Sequence, residues 1–91
     1  MFSKKEKYFY VIVHANLIGK LRRAHREINR IRKEENFFEL TGDPSLVHAN
    51  LPKNMKIAVC GAYRNLCVTD QLNALKKAHF DAFIYSKATI R

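Results

Sequence analysis

The chain has 91 residues, 47% of them apolar, and its 17 Lys and Arg against 8 Asp and Glu give a formal charge of +9 at pH 7. This length suits one domain, and the apolar content with only 3 Gly and 2 Pro excludes a disordered tail. Two cysteines are too few for a disulfide framework, so we expect reduced thiols and a cytoplasmic location. No apolar stretch is long enough to span a bilayer, and no membrane partner is expected.

The first half of the chain predicts a strand, a helix and a second strand. Residues 1–7 form a charged lead-in, and residues 8–14 are rich in the aromatic and β-branched side chains typical of strands. A long amphipathic helix is predicted from Asn16 to about Glu35, followed by a short strand over residues 37–40. The apolar stripe of that helix is Leu17, Leu21, Ala24, Ile28 and Ile31.

The second half of the chain predicts a turn, a short helix and a strand–helix–strand unit. Residues 41–44 form the turn, with Asp43 as N-cap and Pro44 as first residue of a helix through about Ala49. The apolar run over residues 56–60 ends at Gly61 and is typical of a strand buried on both faces. The remaining elements are a helix capped by Asn65, with apolar residues at Leu72, Leu75 and Ala78, and a strand over residues 80–85.

Strands that alternate with helices favour one compact three-layer α/β domain over residues 8–91, with a mainly parallel sheet of about four strands. An alternative arises if residues 37–40 and 55–62 pair as an antiparallel hairpin. The order then becomes β-α-β-β-α-β, a ferredoxin-like sandwich. The helix signal at Asp43-Pro44 and the doubly buried pattern of residues 57–60 favour the first arrangement.

Three short segments carry a resemblance to a known family. They are Val59-Cys60-Gly61, Asn65-Leu66-Cys67-Val68 with Ala74, and Ala88-Thr89. Together they resemble the nucleophile segment of the isochorismatase-like cysteine hydrolases, the group that includes nicotinamidases. In that family a strand ends in glycine, a turn with a non-proline cis peptide follows, and the nucleophile opens the next helix six residues after the glycine. The resemblance implies that Cys67 is the nucleophile and that the turn residues Gly61, Ala62 and Leu66 hold the oxyanion.

The rest of the family pattern is matched in part. The segment from Phe38 to Thr41 is similar to the family's F-x-x-T motif. Lys33, or less well Arg32, falls where the family has a catalytic lysine. His14 follows a strand similar to the family's first strand, at the position of the catalytic aspartate. The resemblance therefore implies a catalytic set of Cys67, Lys33 and His14 that lacks the carboxylate, in a chain shorter than the family. We expect an impaired enzyme used for binding or regulation, or, if it is active, a hydrolase of a small amide or related carbonyl compound.

The predicted first helix carries a second signal, its positive charge. Its cations are Lys20, Arg22, Arg23, Arg26, Arg30, Arg32 and Lys33. Four of them, Arg23, Arg26, Arg30 and Lys33, repeat at i+3 and i+4 spacing and so form one stripe. Such a stripe suits phosphate groups and predicts a surface for nucleic acid or another polyanion, with a plain solvated helix face as the alternative.

Two further expectations concern metals and assembly. The histidines, at positions 14, 25, 48 and 79, show no metal-ligand spacing, so neither a metal nor a cofactor is expected. The few predicted helices give thin cover for a sheet of about four strands. We therefore expect a closed dimer, formed either by an edge strand or by the helix stripe of Leu17, Leu21, Ile28 and Ile31.

Overall fold

A computed structural model describes residues 8–19, 22–40 and 51–91 of the chain. The predicted lead-in at residues 1–7, and the turn and short helix predicted between residues 41 and 49, lie outside the described residues, as do Lys20 and Leu21. The elements in chain order are β1 (Tyr8–Val13), a 3-10 turn (Ala15–Leu17), α1 (Arg23–Glu34), β2 (Asn36–Leu40), β3 (Lys56–Ala62), an irregular helical segment (Arg64–Val68), α2 (Thr69–Lys77) and β4 (Ala82–Ile90).

The four strands form one sheet in the order β2-β1-β3-β4, and every neighbouring pair is parallel. The central strands β1 and β3 are buried on both faces, which explains their nearly continuous apolar sequences. This arrangement confirms the predicted α/β domain with a parallel sheet of about four strands. The ferredoxin-like alternative is wrong, because the partner of β2 is β1 and the pairing is parallel.

The two faces of the sheet are covered by different helices. On one face, Ala24, Ile28 and Ile31 of α1 pack with Tyr10, Ile12, Ala58, Cys60, Ala62 and Ala88. On the other face, Val68 and Leu75 pack with Val11, Val13, Leu40, Leu51, Ile57 and Val59. Alternate residues of each central strand therefore enter opposite layers, as the two-residue period of a strand requires.

The first helix is shorter than predicted. It begins at Arg23, and Asn16 lies instead in the 3-10 turn that follows β1. Gly19 separates the two pieces, and glycine is a poor helix former, which accounts for the interruption. Ile28 and Ile31 are 1% and 0% exposed in the domain's own core. The predicted dimer contact is therefore wrong for Ile28 and Ile31, because those side chains are covered by the sheet of the same chain. Leu17 is exposed, and Leu21 lies outside the described residues.

None of the helices in the described ranges is both long and apolar enough to cross a membrane.

Candidate functional site

Gly61 is the second-last residue of β3, directly before the turn that leads toward α2. Its φ of 116° lies in the region that favours glycine. A Cβ at this position would lie 2.0 Å from the carbonyl oxygen of Val13, because the backbones of β3 and β1 approach closely here. The peptide bond between Ala62 and Tyr63 is cis. The backbones of the paired strands β1 and β3 are therefore in close contact at the carboxyl edge of the sheet.

Backbone hydrogen bonds organise the segment between this turn and α2. The N–H groups of Leu66 and Val68 both donate to the carbonyl oxygen of Tyr63, at 3.0 and 3.2 Å. Leu66 has a non-helical backbone, with φ −128° and ψ −107°, and the regular helix begins only at Thr69. The predicted N-cap at Asn65 is wrong, since its side chain makes no capping bond and the segment is closed by its own backbone.

Cys67 lies in this irregular segment, two residues before α2, and is half-buried against the core on the α2 face. Cys60, by contrast, is 0% exposed on the α1 face, and its thiol donates to the carbonyl oxygen of Val11 at 3.6 Å. Burial raises the pKa of Cys60 to about 12. The expectation that Cys60 is a core residue is confirmed, and of the two thiols only Cys67 is open to solvent.

Two of the three residues that the resemblance implies for the oxyanion site lie in the sheet, and the third lies in the irregular segment. Gly61 and Ala62 lie inside the sheet, where they pair with Thr89 and Ile90 of β4. The N–H of Leu66 is already donated to Tyr63, so Leu66 has no amide hydrogen left for a ligand. The role of Gly61, Ala62 and Leu66 in holding an oxyanion therefore stays a prediction.

His14 and Lys33 lie at opposite edges of the sheet. His14 follows β1 at the same carboxyl edge as Cys67, in a left-handed conformation with φ 48°, and its N–H donates to the carbonyl oxygen of Leu40. Lys33 lies in the last turn of α1, which runs back to the amino edge where β2 begins. A helix of this length spans about 18 Å. The structure thus brings His14, but not Lys33, to the edge that holds Cys67.

The cations of α1 divide into two groups. Arg30 bonds Glu27 through two nitrogens, at 2.7 and 3.1 Å, and bonds Glu35 at 2.9 Å. Arg32 binds Glu39 of β2 in the same two-pronged way. The other cations of α1 and its N-cap are exposed and form no ion pair within the described part of the chain: Arg22, Arg23, Arg26 and Lys33. Arg30 of the predicted stripe is therefore paired with the protein's own carboxylates, and Arg22, the N-cap of the helix, is a further exposed cation beside the stripe.

A polar network ties α1 to the edge strand β4. The hydroxyl of Tyr85 donates to Oε2 of Glu27 at 2.5 Å, the same oxygen that Arg30 contacts. The hydrogen bond from Arg30 is the main cause that lowers the pKa of Glu27. Burial, and then the bond to Glu27, raise the pKa of Tyr85 to about 12. The rings of Tyr10 and Tyr85 also pack in a T-shaped arrangement, with their centroids 5.3 Å apart. This network holds the helix and its exposed cations at a fixed position over the sheet.

Gln71 is the polar residue that the sequence reasoning missed. It is 1% exposed, and neither Nε2 nor Oε1 of its amide has a hydrogen-bond partner among the described residues. It follows Cys67 by four residues and precedes Leu75 by four, which places it on the buried side of α2. That spacing was the available signal, because a residue one turn before a core leucine shares its face.

Within the described ranges, no group of three or more His, Cys, Asp or Glu side chains is placed to hold a metal ion. No family model, curated protein or solved structure matches this chain.

Proposed function

We propose that this chain is an isochorismatase-like α/β domain that works by binding a polyanion, with nucleic acid as the leading candidate. The parallel fold and the Gly61–Cys67 spacing support the relation to that family. The observation that carries the binding role is a set of exposed cations on α1 and its N-cap that form no ion pair within the described residues: Arg22, Arg23, Arg26 and Lys33.

The charge around α1 supports this role. Four carboxylates lie near the helix, and Arg30 and Arg32 pair with all of them: Glu27, Glu34, Glu35 and Glu39. With the four exposed cations, the six positive charges of this region outnumber its four negative charges, so its net charge is positive. The chain also carries a formal charge of +9, which attracts polyanions and speeds their encounter. Arginine suits this partner because its planar fork matches the oxygens of a phosphate group.

The same geometry argues against efficient hydrolysis at Cys67. A thiol hydrolase needs a group to move protons and donors for the oxyanion. Here Lys33 lies at the far edge of the sheet, the chain has His14 and not a carboxylate after β1, and the N–H of Leu66 is occupied.

Salt-dependent binding to a labelled single-stranded oligonucleotide tests the proposal. Arg26→Glu should weaken binding and make its salt dependence shallower, because a phosphate contact releases counterions when it forms. Lys76→Glu is the matched control, since Lys76 is equally exposed but lies on α2, across the sheet. Absence of salt-dependent binding, or equal losses in the two variants, contradicts the proposal.

A second candidate, a Cys67-dependent hydrolase of a small amide, is favoured by one observation. Cys67 is partly open to solvent and shares the carboxyl edge of the sheet with His14. Turnover of a simple amide that disappears in Cys67→Ser would establish it and would make His14 the first residue to test as the proton carrier.

Assembly and location belong to the same proposal. The strands β2 and β4 are the edges of the sheet, and Phe37 on β2 is an exposed aromatic residue. We propose that an edge strand pairs two copies in a closed dimer, which light scattering at micromolar concentration checks directly. Both thiols are free, which suits a reducing compartment such as the cytoplasm.

A further inference from the structure

An open cleft of about 720 Å³ lies between the start of α1 and the end of β4. Three cations line it: Arg22 and Arg23 from the helix and Lys87 from the strand. Because the strands are parallel and α1 returns from the carboxyl edge of β1, the cleft opens at that edge.

The cleft has a positive net charge, with three cations against one carboxylate, and, beside the hydrogen bond from Arg30, the charge of Lys87 helps to lower the pKa of Glu27. Its lining contains a single carboxylate, that of Glu27, and both of its oxygens already accept hydrogen bonds. The donors of these hydrogen bonds are Arg30 and Tyr85, which are not lining residues of the cleft. Arg22, Arg23 and Lys87 are exposed and form no ion pair within the described residues.

The shape of the cleft comes from a bulge in β4. Val59 pairs with Ile84 and Gly61 pairs with Thr89, so residues 85–88 stand opposite Cys60 alone. The hydroxyl of Thr89 donates to the carbonyl oxygen of Tyr85 at 2.7 Å and closes the bulge. Ser86 and Lys87 are thereby presented at the surface, beside the start of the helix.

We propose that this cleft binds a phosphate group, carried either by a nucleotide or by a nucleic-acid strand. The inference rests on the proposed function and specifies which cations meet the anion. Two arginines supply flat forks for the phosphate oxygens, and Lys87 supplies a compact charge from the opposite wall. The hydroxyl of Ser86 adds a further donor, and Ile90 lines the cleft as an apolar contact for the uncharged part of the ligand.

The test compares wild type with a cleft variant, Arg23→Gln with Lys87→Gln, and a control, Lys76→Gln with Lys77→Gln. Both pairs remove two exposed cations, but the control pair lies on α2, across the sheet. Calorimetric titration with inorganic pyrophosphate should show affinity about tenfold lower or worse in the cleft variant, since charge-assisted bonds are lost. The control should stay within about twofold, because distant surface charges are screened. Matching circular dichroism spectra and melting temperatures show that both variants fold.

A labelled single-stranded oligonucleotide, titrated in parallel, separates the two sources of phosphate. If the cleft variant loses both pyrophosphate and oligonucleotide binding, the phosphate group belongs to a nucleic-acid strand. If the cleft variant loses pyrophosphate binding and wild type does not bind the oligonucleotide, the phosphate group belongs to a nucleotide, and the proposed polyanion function is wrong. If the cleft variant binds pyrophosphate like wild type, or the control loses as much, the cleft inference is overturned. The proposed function then still stands or falls on Arg26→Glu.

Discussion

Tyr85 of β4 donates a hydrogen bond to Glu27 of α1, joining the edge strand to the helix across 58 positions of sequence. Arg30 bonds the same carboxylate, so Tyr85, Glu27 and Arg30 form one hydrogen-bonded network between β4 and α1. This network fixes the position of the helix and of its exposed cations. The exposed cations at the start of α1 owe their position to this contact.

Removing the hydroxyl should therefore loosen the helix. Tyr85→Phe is expected to lower the free energy of unfolding by about 1–2 kcal/mol, because the lost bond has a charged acceptor. Urea denaturation followed by circular dichroism measures it. Tyr63→Phe is the control, since the hydroxyl of Tyr63 has no hydrogen bond within the described residues. Equal effects in the two variants would show that the bond to Glu27 contributes nothing.

Alkaline pH should destabilise the fold through the buried thiol of Cys60 and the half-buried hydroxyl of Tyr85. The pKa of Cys60 is raised to about 12 from 9.0, and that of Tyr85 to about 12 from 10.0. Both raised values favour the neutral folded state, so their contribution is complete below the unfolded pKa and is lost as pH rises through the folded one. We expect stability to fall between about pH 9 and 12. Tyrosinate absorbance should show a late titration near pH 12 whose amplitude falls in Tyr85→Phe. Burial also raises the pKa of Tyr10, so part of any late titration should remain, and an unchanged amplitude in Tyr85→Phe would contradict the assignment.

Acid should act on the other side of the same network. The pKa of Glu27 is lowered, chiefly by its hydrogen bond from Arg30, so its contribution is present above the unfolded pKa of 4.5 and is lost as pH falls through the folded value. Unfolding by urea below pH 4.5 should therefore become easier in wild type. Glu27→Gln should show a weaker dependence over that window, and an unchanged dependence would mean that another carboxylate is responsible.

Gly61 should tolerate no side chain. Gly61→Ala requires a positive φ and places Cβ 2.0 Å from the oxygen of Val13, so we expect a loss of at least about 3 kcal/mol in unfolding free energy. Gly19→Ala is the control, because its Cβ would meet only the Arg22 side chain, at 3.7 Å. Thermal denaturation should leave that variant as stable as wild type or more so. A Gly61→Ala protein with the melting temperature of wild type would rule out the close approach of the β1 and β3 backbones at Gly61.

Gln71 should be replaceable by an apolar residue of similar size. Its amide is buried without partners in the described structure, and such groups lose hydration on folding without compensation. Gln71→Met is therefore expected to leave stability unchanged or to raise it by about 1–2 kcal/mol. A loss larger than that, measured by urea denaturation, would show that the amide has a partner. Asn73→Met, at an exposed position of the same helix, reports the effect of the side chain alone.

Much of the fold could be predicted from the sequence, because burial leaves a local pattern. The apolar run at residues 57–60 predicted a strand covered on both faces, and the helical spacing of Ala24, Ile28 and Ile31 predicted the buried side of α1. The burial of Cys60 followed from the same pattern. These properties depend on the period of each element and need no knowledge of its neighbours.

The tertiary structure alone decided which side chains meet. Lys33 lies close to Phe38 in sequence, yet the return of α1 across the sheet takes it away from Cys67. Arg30 repeats with Arg26 and Lys33, yet the carboxylates of Glu27 in α1 and of Glu35 at its end engage it. Lys87 joins the cations at the start of α1 only because β4 bulges beside the helix. Strand order and crossover set such distances, and these depend on contacts between residues far apart in the chain, which periodicity does not record.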